Sequence, residues 1–447
     1  MRESVAWGDR EVQALTGWRW APASGGASAN AADAPEASGA NPVRFAFAVF
    51  IAVLAIKFVV GRMMFDLDVM AGNPWAFGFE VGHIAGNVAS GHGFSISREP
   101  GVHVPTAWIS PLYPLMLAMI FKLYGLYTLA AAQAMFLANC VFQGATASLL
   151  YLLGARFGGR NVGLVAAAIF LVNPNGWQFL GWAWPSQLFA LLVLLHVHAL
   201  LVPAKRTLVA AGWVGATFGL ALMADGAAIA IAPVTLIHLV VANTRSDRRM
   251  AIASASLCFF IVVAPWTIRN AEQFGSFNPL RGNVGVNLWV GNYPGSNEEA
   301  FHGLAPSPWH NTEQGERFTA LGEQQYDRAA RAQAFDVIAD DPMRFIGNSV
   351  MRFAGFWIGE FWTGYSHIAW TYSLGLIALS ALALRGAIRA RTLGTGALLA
   401  VLLLFGGPYY LTVHGHGRYR VPVEPLMCLL AALKPGETRE SLRDEVV

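Results

Sequence analysis

Charged residues are scarce in this sequence. Only 13% of its 447 residues are Asp, Glu, Lys or Arg, whereas 55% are hydrophobic, and soluble domains contain about a quarter charged residues. This composition excludes an ordinary soluble domain. The net charge of +3 is small and the basic residues form no patch, so no nucleic-acid partner is expected.

Cysteine is also rare. Cys140, Cys258 and Cys428 lie inside apolar runs, where a free thiol behaves as a small hydrophobic group, and no disulfide framework is implied. Residues 1–42 lack the apolar core of a secretion signal and are rich in Ala, Gly, Ser and Pro. They are predicted to form a disordered tail, and residues 435–447 form a second tail.

What the sequence does contain is a series of apolar runs close to the length that a bilayer requires. These runs lack the alternation of barrel strands, and the backbone in hydrocarbon must satisfy its own hydrogen bonds, so the spans are predicted to be helices. The sequence therefore predicts an all-α polytopic membrane protein within residues 43–434. The ten spans fall at about 44–63, 128–153, 162–174, 187–203, 208–223, 227–243, 250–268, 369–386, 394–412 and 421–434. An eleventh apolar piece, Leu112–Tyr124, is short for a span.

Loop charge predicts the orientation, because short cytoplasmic loops retain Lys and Arg. Four loops hold ten basic residues with Asp247 as the only acid: Arg156 and Arg160; Lys205 and Arg206; Arg245, Arg248 and Arg249; and Arg385, Arg389 and Arg391. Placing them inside puts both termini in the cytoplasm and sends residues 65–111 and 269–368 outside. The aromatic stretch 345–362 is then predicted to be an interfacial helix, since a span there would place the last basic loop outside.

The first outer segment carries a candidate site. Residues 77–90 are predicted to form a helix with Gly78, Gly82 and Gly86 on one face. Glu80, His83 and Asn87 lie on another face, and a carboxylate beside an imidazole is a candidate general base. A solvated polar face explains the same spacing. The Pro- and Trp-rich stretch 105–114, with Trp108 and Tyr113, is predicted to be a rigid ordered loop.

Several short motifs occur in a fixed order. They are Phe79-Glu80, Ile84-Ala85, Gly91-x-Gly93-Phe94-Ser95, Pro105-Thr106-Ala107-Trp108, Pro111-Leu112-Tyr113-Pro114, Arg281-x-Asn283, Gly291-Asn292, Gly322-Glu323-x-x-Tyr326 and Arg418-Tyr419-Arg420-x-Pro422-x-x-Pro425. This succession, over about residues 45–433, resembles the bacterial family 39-like glycosyltransferases of the GT-C superfamily. Protein mannosyltransferases and the aminoarabinose transferase of lipid A are better-known relatives.

The resemblance implies a GT-C bundle of 10–11 spans in the bacterial inner membrane. It also implies a polyprenyl-phosphate-linked sugar donor, a glycolipid or protein acceptor at the outer face, and an acid of the first outer loop as catalytic base. Glu80 matches that position; relatives often have Asp there, and either residue supplies a carboxylate. His83 stands where close relatives often carry Arg, so it is assigned to substrate binding and not to catalysis.

The reaction also needs a cation, because the phosphate leaving group gains negative charge as the acceptor hydroxyl attacks. Arg418, Arg420 and Arg281 are the candidate phosphate ligands. Arg418 and Arg420 beside Tyr419 would also suit a snorkelling interfacial anchor. The remaining candidate substrate contacts are His83, Asn87, Trp108, Tyr113, Asn283, Asn292, Glu323 and Tyr419. For Arg281 and Glu323 a structural ion pair is an equal alternative.

A divalent metal is not assigned. His414-x-His416 and the pair Glu80 and His83 each lack a matching third ligand. Asp225 is a lone acid near a span end, which fits either a functional residue or a helix break before Gly226.

Two other functions predict different sequence features. A secondary transporter or flippase of lipid-linked substrates predicts charges in mid-span and inverted repeats, whereas the polar residues here lie in long outer loops. An O-antigen ligase or polymerase places its large outer loop late and lacks an early acidic helix.

Overall fold

The computed structural model of the protein describes residues 41–97, 101–202, 207–243, 247–275, 281–296, 308–309, 311–359, 367–390, 393–412 and 417–433. Several sequence predictions lie outside these residues. They concern most of both tails, the basic residues Lys205, Arg206, Arg245 and Arg391, and the His414 and His416 pair.

Helices form nearly all of the described structure. In chain order they are α1 (Pro42–Met64), α2 (Glu80–Ala89), α3 (Leu112–Tyr124), α4 (Leu129–Val172), α5 (Pro174–Gln178), α6 (Ser186–Leu201), α7 (Thr207–Ala224), α8 (Ala232–Val241), α9 (Arg248–Phe274), α10 (Val284–Asn292), α11 (Thr312–Leu321), α12 (Glu323–Asp340), α13 (Pro342–Ile358), α14 (His367–Ala390), α15 (Leu393–Phe405), α16 (Gly407–Thr412) and α17 (Glu424–Ala432). Short 3₁₀ turns lie at Asp68–Met70, Pro74–Phe77, Gly226–Ile231, Gly417–Tyr419 and Val421–Val423. Two short antiparallel strands, β1 (Ser95–Ile96) and β2 (Val104–Pro105), pair between α2 and α3.

Within the described residues, six helical stretches are long and apolar enough to cross a bilayer: Pro42–Met64, Leu129–Val172, Thr207–Ala224, Arg248–Phe274, Tyr372–Ala390 and Thr395–Thr412. Three shorter apolar stretches are Leu112–Tyr124, Ser186–Leu201 and Gly226–Val241. The predicted all-α polytopic membrane fold is confirmed.

Three predicted spans differ in form from the helices observed. Residues 128–153 and 162–174 share the 44-residue helix α4, which is broken at Gly158 and Gly159 by non-helical backbone angles. The last predicted span corresponds to α17, whose nine residues extend only about 14 Å, less than half of the hydrocarbon core. Its side chains are almost all buried, so the apolar character of this segment reflects packing inside the bundle.

Small residues let the long helices approach closely. A Cβ on Gly215 of α7 would lie 1.9 Å from the carbonyl oxygen of Ala255 in α9, so no larger residue fits at this crossing. These two helices run in the same direction from their N-terminal residues Thr207 and Arg248. Their C-terminal ends therefore lie at the same end of the bundle, where the candidate site is found.

The predicted interfacial helix corresponds to α13. It buries Asn348, Arg352 and Phe356 on one face and exposes Met343 and Val350 on the other, with 72% and 60% of their surfaces accessible. The Arg352 guanidinium donates to the carbonyl oxygen of Leu411 at 3.2 Å, which fixes α13 to the bundle. Its position at the membrane interface remains a prediction.

Candidate active site

Glu80 is the first residue of α2. The observed helix therefore begins three residues later than the predicted helix over 77–90. The delay arises because Gly78 adopts a left-handed φ of +86° and ends the preceding 3₁₀ turn. A Cβ on Gly78 would lie 2.2 Å from the carbonyl oxygen of Ala183, so only glycine permits this contact. Phe79 also has a positive φ, 52°, which for a bulky residue costs on the order of 1–3 kcal/mol and is typical of functional sites. This turn presents a partly exposed Glu80 carboxylate at a helix N-terminus, where negative charge is stabilised.

Arg418 lies next to Glu80. Its guanidinium carbon is 4.2 Å from the ring centroid of Trp184 and 4.7 Å from that of Tyr419, and its Nη2 donates to the Tyr419 hydroxyl at 2.7 Å. Burial lowers the pKa of Arg418, whereas the Tyr419 phenol and the Glu80 carboxylate raise it, and the net shift is upward. The guanidinium is therefore a permanent cation in electrostatic contact with Glu80.

A second cation, Arg281, lies near the Tyr409 ring that stacks on Tyr419. The ring of Tyr419 stacks on that of Tyr409 with centroids 4.5 Å apart, and Tyr409 is within electrostatic range of Arg281 and Arg418. Arg281 pairs with Asp225 at 3.4 Å between Nη1 and Oδ1, and both side chains remain partly exposed. The structure thus gathers four predicted site residues, Glu80, Arg418, Tyr419 and Arg281, around a group of aromatic rings.

Arg420 is not part of this group. Its side chain is 1% exposed and pairs with Glu424 at 3.1 Å. Its remaining nitrogens donate to the carbonyl oxygens of Trp357 at 2.6 Å and Leu376 at 3.0 Å. The Arg420 guanidinium is therefore bound to groups inside the bundle. This placement does not fit the predicted role as a phosphate ligand.

Removing the Arg420 charge is expected to destabilise the fold. Arg420→Leu leaves the Glu424 carboxylate buried without its counter-ion, which should lower the free energy of unfolding by about 3–5 kcal/mol. Thermal unfolding in detergent measures this, and the double variant Arg420→Leu/Glu424→Leu should recover part of the loss. An unchanged unfolding temperature in the single variant would contradict the structural role.

Three predicted asparagine contacts are structural as well. Asn292 donates to the carbonyl oxygens of Leu288 and Leu411 at 2.8 and 2.9 Å and accepts from Arg352. Asn283 is 3% exposed and precedes α10. Asn87 donates to the Ser95 carbonyl oxygen at 2.9 Å and so holds β1 against α2. The Asn292 and Asn87 amides thus satisfy backbone carbonyl groups, which must find partners when buried, whereas the Asn283 side chain accepts from the Asn287 amide.

The predicted aromatic contacts are mainly in the interior. Trp108 is 4% exposed and packs edge-to-face against Trp309 at 5.4 Å, and Tyr113 is fully buried in α3. His83 packs against Trp75 with ring centroids 4.5 Å apart, and burial lowers its pKa. His83 therefore favours the neutral imidazole.

Glu323 joins the segments 65–111 and 269–368, which the sequence predicts to lie outside. It is 4% exposed, accepts from the Ala107 amide at 2.9 Å and from the Thr106 hydroxyl, and leaves no space for a side chain at Gly282. Burial raises the pKa of Glu323 to about 7, against the opposing hydrogen bonds from Thr106 and Ala107 and the charge of Arg269. These contacts place Glu323 between the two segments and not in the group formed by Glu80, Arg418, Tyr419 and Arg281.

The contact of Glu323 with Thr106 and Ala107 is expected to weaken as the pH rises. A carboxyl whose folded-state pKa lies above its unfolded value binds more protons when folded, so its contribution is full below about pH 4.5 and is lost as the pH rises through about 7. Hydrogen exchange of residues 104–108 should therefore accelerate between pH 5 and 8. Glu323→Gln should remove this pH dependence; a pH dependence that survives this change would have another origin.

Two aromatic residues of the site were missed by the sequence analysis. Trp184 and Tyr409 hold Arg418 and Tyr419, yet both lie in apolar runs where aromatic residues are common. Trp184 is followed by Pro185 within a dense Trp and Gly stretch, the same signal that identified the loop around Trp108. In the described part of the chain, no group of three or more His, Cys, Asp or Glu side chains is arranged to hold a metal ion.

Comparisons with protein-family models and with curated proteins gave no match. Among solved structures, the chain is similar to the archaeal oligosaccharyltransferase AglB from Archaeoglobus fulgidus in complex with an inhibitory peptide and a dolichol-phosphate. The TM-score is 0.50 at 15% identity, covering 86% of this chain and 50% of AglB. ArnT from Cupriavidus metallidurans bound to undecaprenyl phosphate gives a TM-score of 0.41 at 13% identity, covering 86% of this chain and 77% of ArnT.

The similarity to AglB concerns the fold alone, and the chain spans about half the length of that protein. It shows that this chain shares the fold of the matched part of AglB.

Proposed function

We propose that this protein is an inverting glycosyltransferase that moves a sugar from a polyprenyl-phosphate donor to an acceptor hydroxyl at the outer face of the bacterial inner membrane. The observation that carries the proposal is the Arg418 guanidinium held by Trp184 and Tyr419 within electrostatic range of the Glu80 carboxylate. The GT-C fold and the succession of sequence motifs support it. The AglB structure contains a dolichol-phosphate, which is the same class of lipid.

The site supplies what this displacement requires. The acceptor oxygen forms a bond to the anomeric carbon while the bond from that carbon to the phosphate oxygen breaks, and the leaving phosphate keeps the electron pair. Glu80 takes the acceptor proton. Arg418, with Arg281, stabilises the charge that develops on the phosphate through charge-assisted hydrogen bonds. One attack from the face opposite the phosphate inverts the anomeric configuration.

Helix direction supports an outer-face site. Arg248 and Arg249 begin α9. α14 places Leu376 against Arg420 and Gly386 against Leu430, so Arg389 in its last turn lies away from the Arg418 end. Asp225, which follows α7, contacts Arg281, which follows α9, at the opposite end. The positive-inside rule favours the cytoplasm for the basic end and hence the outside for the site.

The test uses the purified full chain in proteoliposomes with a panel of synthetic polyprenyl-phosphate sugars and an extract of membrane lipids and proteins. We expect release of polyprenyl phosphate together with a labelled glycolipid or glycoprotein. Movement of the lipid-linked sugar across the bilayer with no covalent product would instead support a transporter or flippase.

A further inference from the structure

Lys57 is a buried amine inside a membrane-spanning helix. It lies seven residues before the end of α1, about 10 Å along the helix axis, and is 0% exposed. Its Nζ lies 3.7 Å from the ring centroid of Trp177 and has no hydrogen-bond partner among the described residues. A buried ammonium with no counter-ion is unfavourable, and ionisable residues inside membrane spans are usually functional.

Two buried amides accompany Lys57. Gln143 of α4 and Gln187 of α6 are each 1% exposed and hydrogen-bond to each other, yet Gln143 Oε1 and Gln187 Nε2 remain unpartnered. The amine and the Gln143 amide meet at Gly176, where a Cβ would lie 3.3 Å from Lys57 Nζ and 3.4 Å from Gln143 Oε1. The group therefore contacts the segment 173–179, which includes α5 and which we name the 173–179 turn.

The 173–179 turn in turn supports the chain around Arg418. Asn173 and Asn175 both donate to the Glu424 carboxylate, and Asn175 also donates to the carbonyl oxygen of Gly417 at 3.3 Å. A Cβ on Gly417 would lie 2.7 Å from Asn175 Oδ1. Gly417 directly precedes Arg418, so the position of this turn fixes the start of the segment 417–424.

We propose that Lys57 is a positioning residue. Its amine, held over Trp177 and beside Gly176, fixes the 173–179 turn, and through Asn175 and Gly417 this turn sets the position of the Arg418 guanidinium for the donor phosphate. The proposal rests on the function proposed above for its activity readout. This role explains why the bundle keeps a lysine at this position, where an apolar residue of equal size would avoid the free-energy cost of burying an amine.

The first experiment compares Lys57→Met with Lys122→Met in the full-length protein. Met has a similar length and no charge, and Lys122 is an exposed lysine on α3. We expect Lys57→Met to lower kcat/KM for the lipid donor by about ten- to a hundredfold, mainly through KM, because small displacements of a binding group have effects of this size. Its unfolding temperature should be unchanged or higher. Lys122→Met should match the wild type in both measurements.

A double variant tests whether Lys57 acts through Trp177. Since Lys57 acts through Trp177, Lys57→Met/Trp177→Leu should be no less active than Trp177→Leu alone. Full additivity would overturn the assigned path, as would parallel losses of activity and unfolding temperature in Lys57→Met, which would indicate a general structural role.

Hydrogen exchange gives a readout that does not depend on activity. Amides of 417–424 should exchange faster in Lys57→Met and at the wild-type rate in Lys122→Met, because a segment that loses its support opens more often. Unchanged exchange together with an unchanged donor KM would overturn the proposal while leaving the transferase function intact. If the wild type transfers no sugar, the transferase proposal fails, and the exchange rates alone decide whether Lys57 supports this segment.

Discussion

Replacing Glu80 with Gln is expected to slow sugar transfer by about 10²–10⁴-fold, the usual contribution of a positioned general base. The amide keeps the size of the side chain and its place at the start of α2, but it cannot take the acceptor proton. Because the change affects the chemical step, the loss should appear in kcat, with little change in KM for the donor. Initial rates with a lipid-linked sugar in proteoliposomes measure both constants.

Two further variants control this result. Glu316→Gln removes an exposed carboxylate from α11 and should leave the rate unchanged. Glu80→Asp keeps a carboxylate on a shorter side chain and should retain intermediate activity. Full activity in Glu80→Gln would remove Glu80 as the base and direct attention to Asp225, the acid paired with Arg281.

Replacing Arg418 with Gln is expected to lower kcat/KM for the donor by about 10²–10³-fold, the usual cost of removing a group that stabilises developing negative charge. The guanidinium is held by the rings of Trp184 and Tyr419, whereas the second cation, Arg281, is paired with Asp225. Both donor binding and the chemical step should suffer, because the phosphate is charged before transfer and becomes more so during it. Arg418→Lys should restore little, since an ammonium lacks the planar, two-pronged geometry of Arg.

The matched control is Arg328→Gln, which removes an exposed guanidinium from α12. This variant should behave as the wild type, and both arginine variants should unfold near the wild-type temperature. Normal donor binding by Arg418→Gln would show that Arg418 is the interfacial anchor that its position beside Tyr419 also allows.

Much of the fold can be predicted from the sequence because each apolar run must form a helix in hydrocarbon. What cannot be predicted is whether a run faces lipid or protein. α17 is apolar because it is enclosed by other helices, and the two spans of α4 are joined through Gly158 and Gly159, whose backbone angles no periodicity reveals.

The candidate site is less predictable because motif residues serve different purposes. Arg418 and Arg420 are two positions apart and point in different directions: one contacts Trp184 and the other enters the bundle to meet Glu424. Likewise Asn292 and Glu323 occur in motifs of the family, yet they satisfy buried backbone groups. Spacing in the sequence does not reveal these directions, because they depend on tertiary contacts such as that of Arg418 with Trp184 and that of Glu323 with Ala107.

The most direct test of the central claim is mass spectrometry of polyprenyl phosphate released from a polyprenyl-phosphate sugar by the wild type, Glu80→Gln and Arg418→Gln in the same proteoliposomes. We expect the wild type to release polyprenyl phosphate in equal amount to the labelled acceptor formed. Glu80→Gln should bind the donor without reacting, and Arg418→Gln should bind it weakly. Equal release by all three proteins would show that neither Glu80 nor Arg418 has the role proposed here.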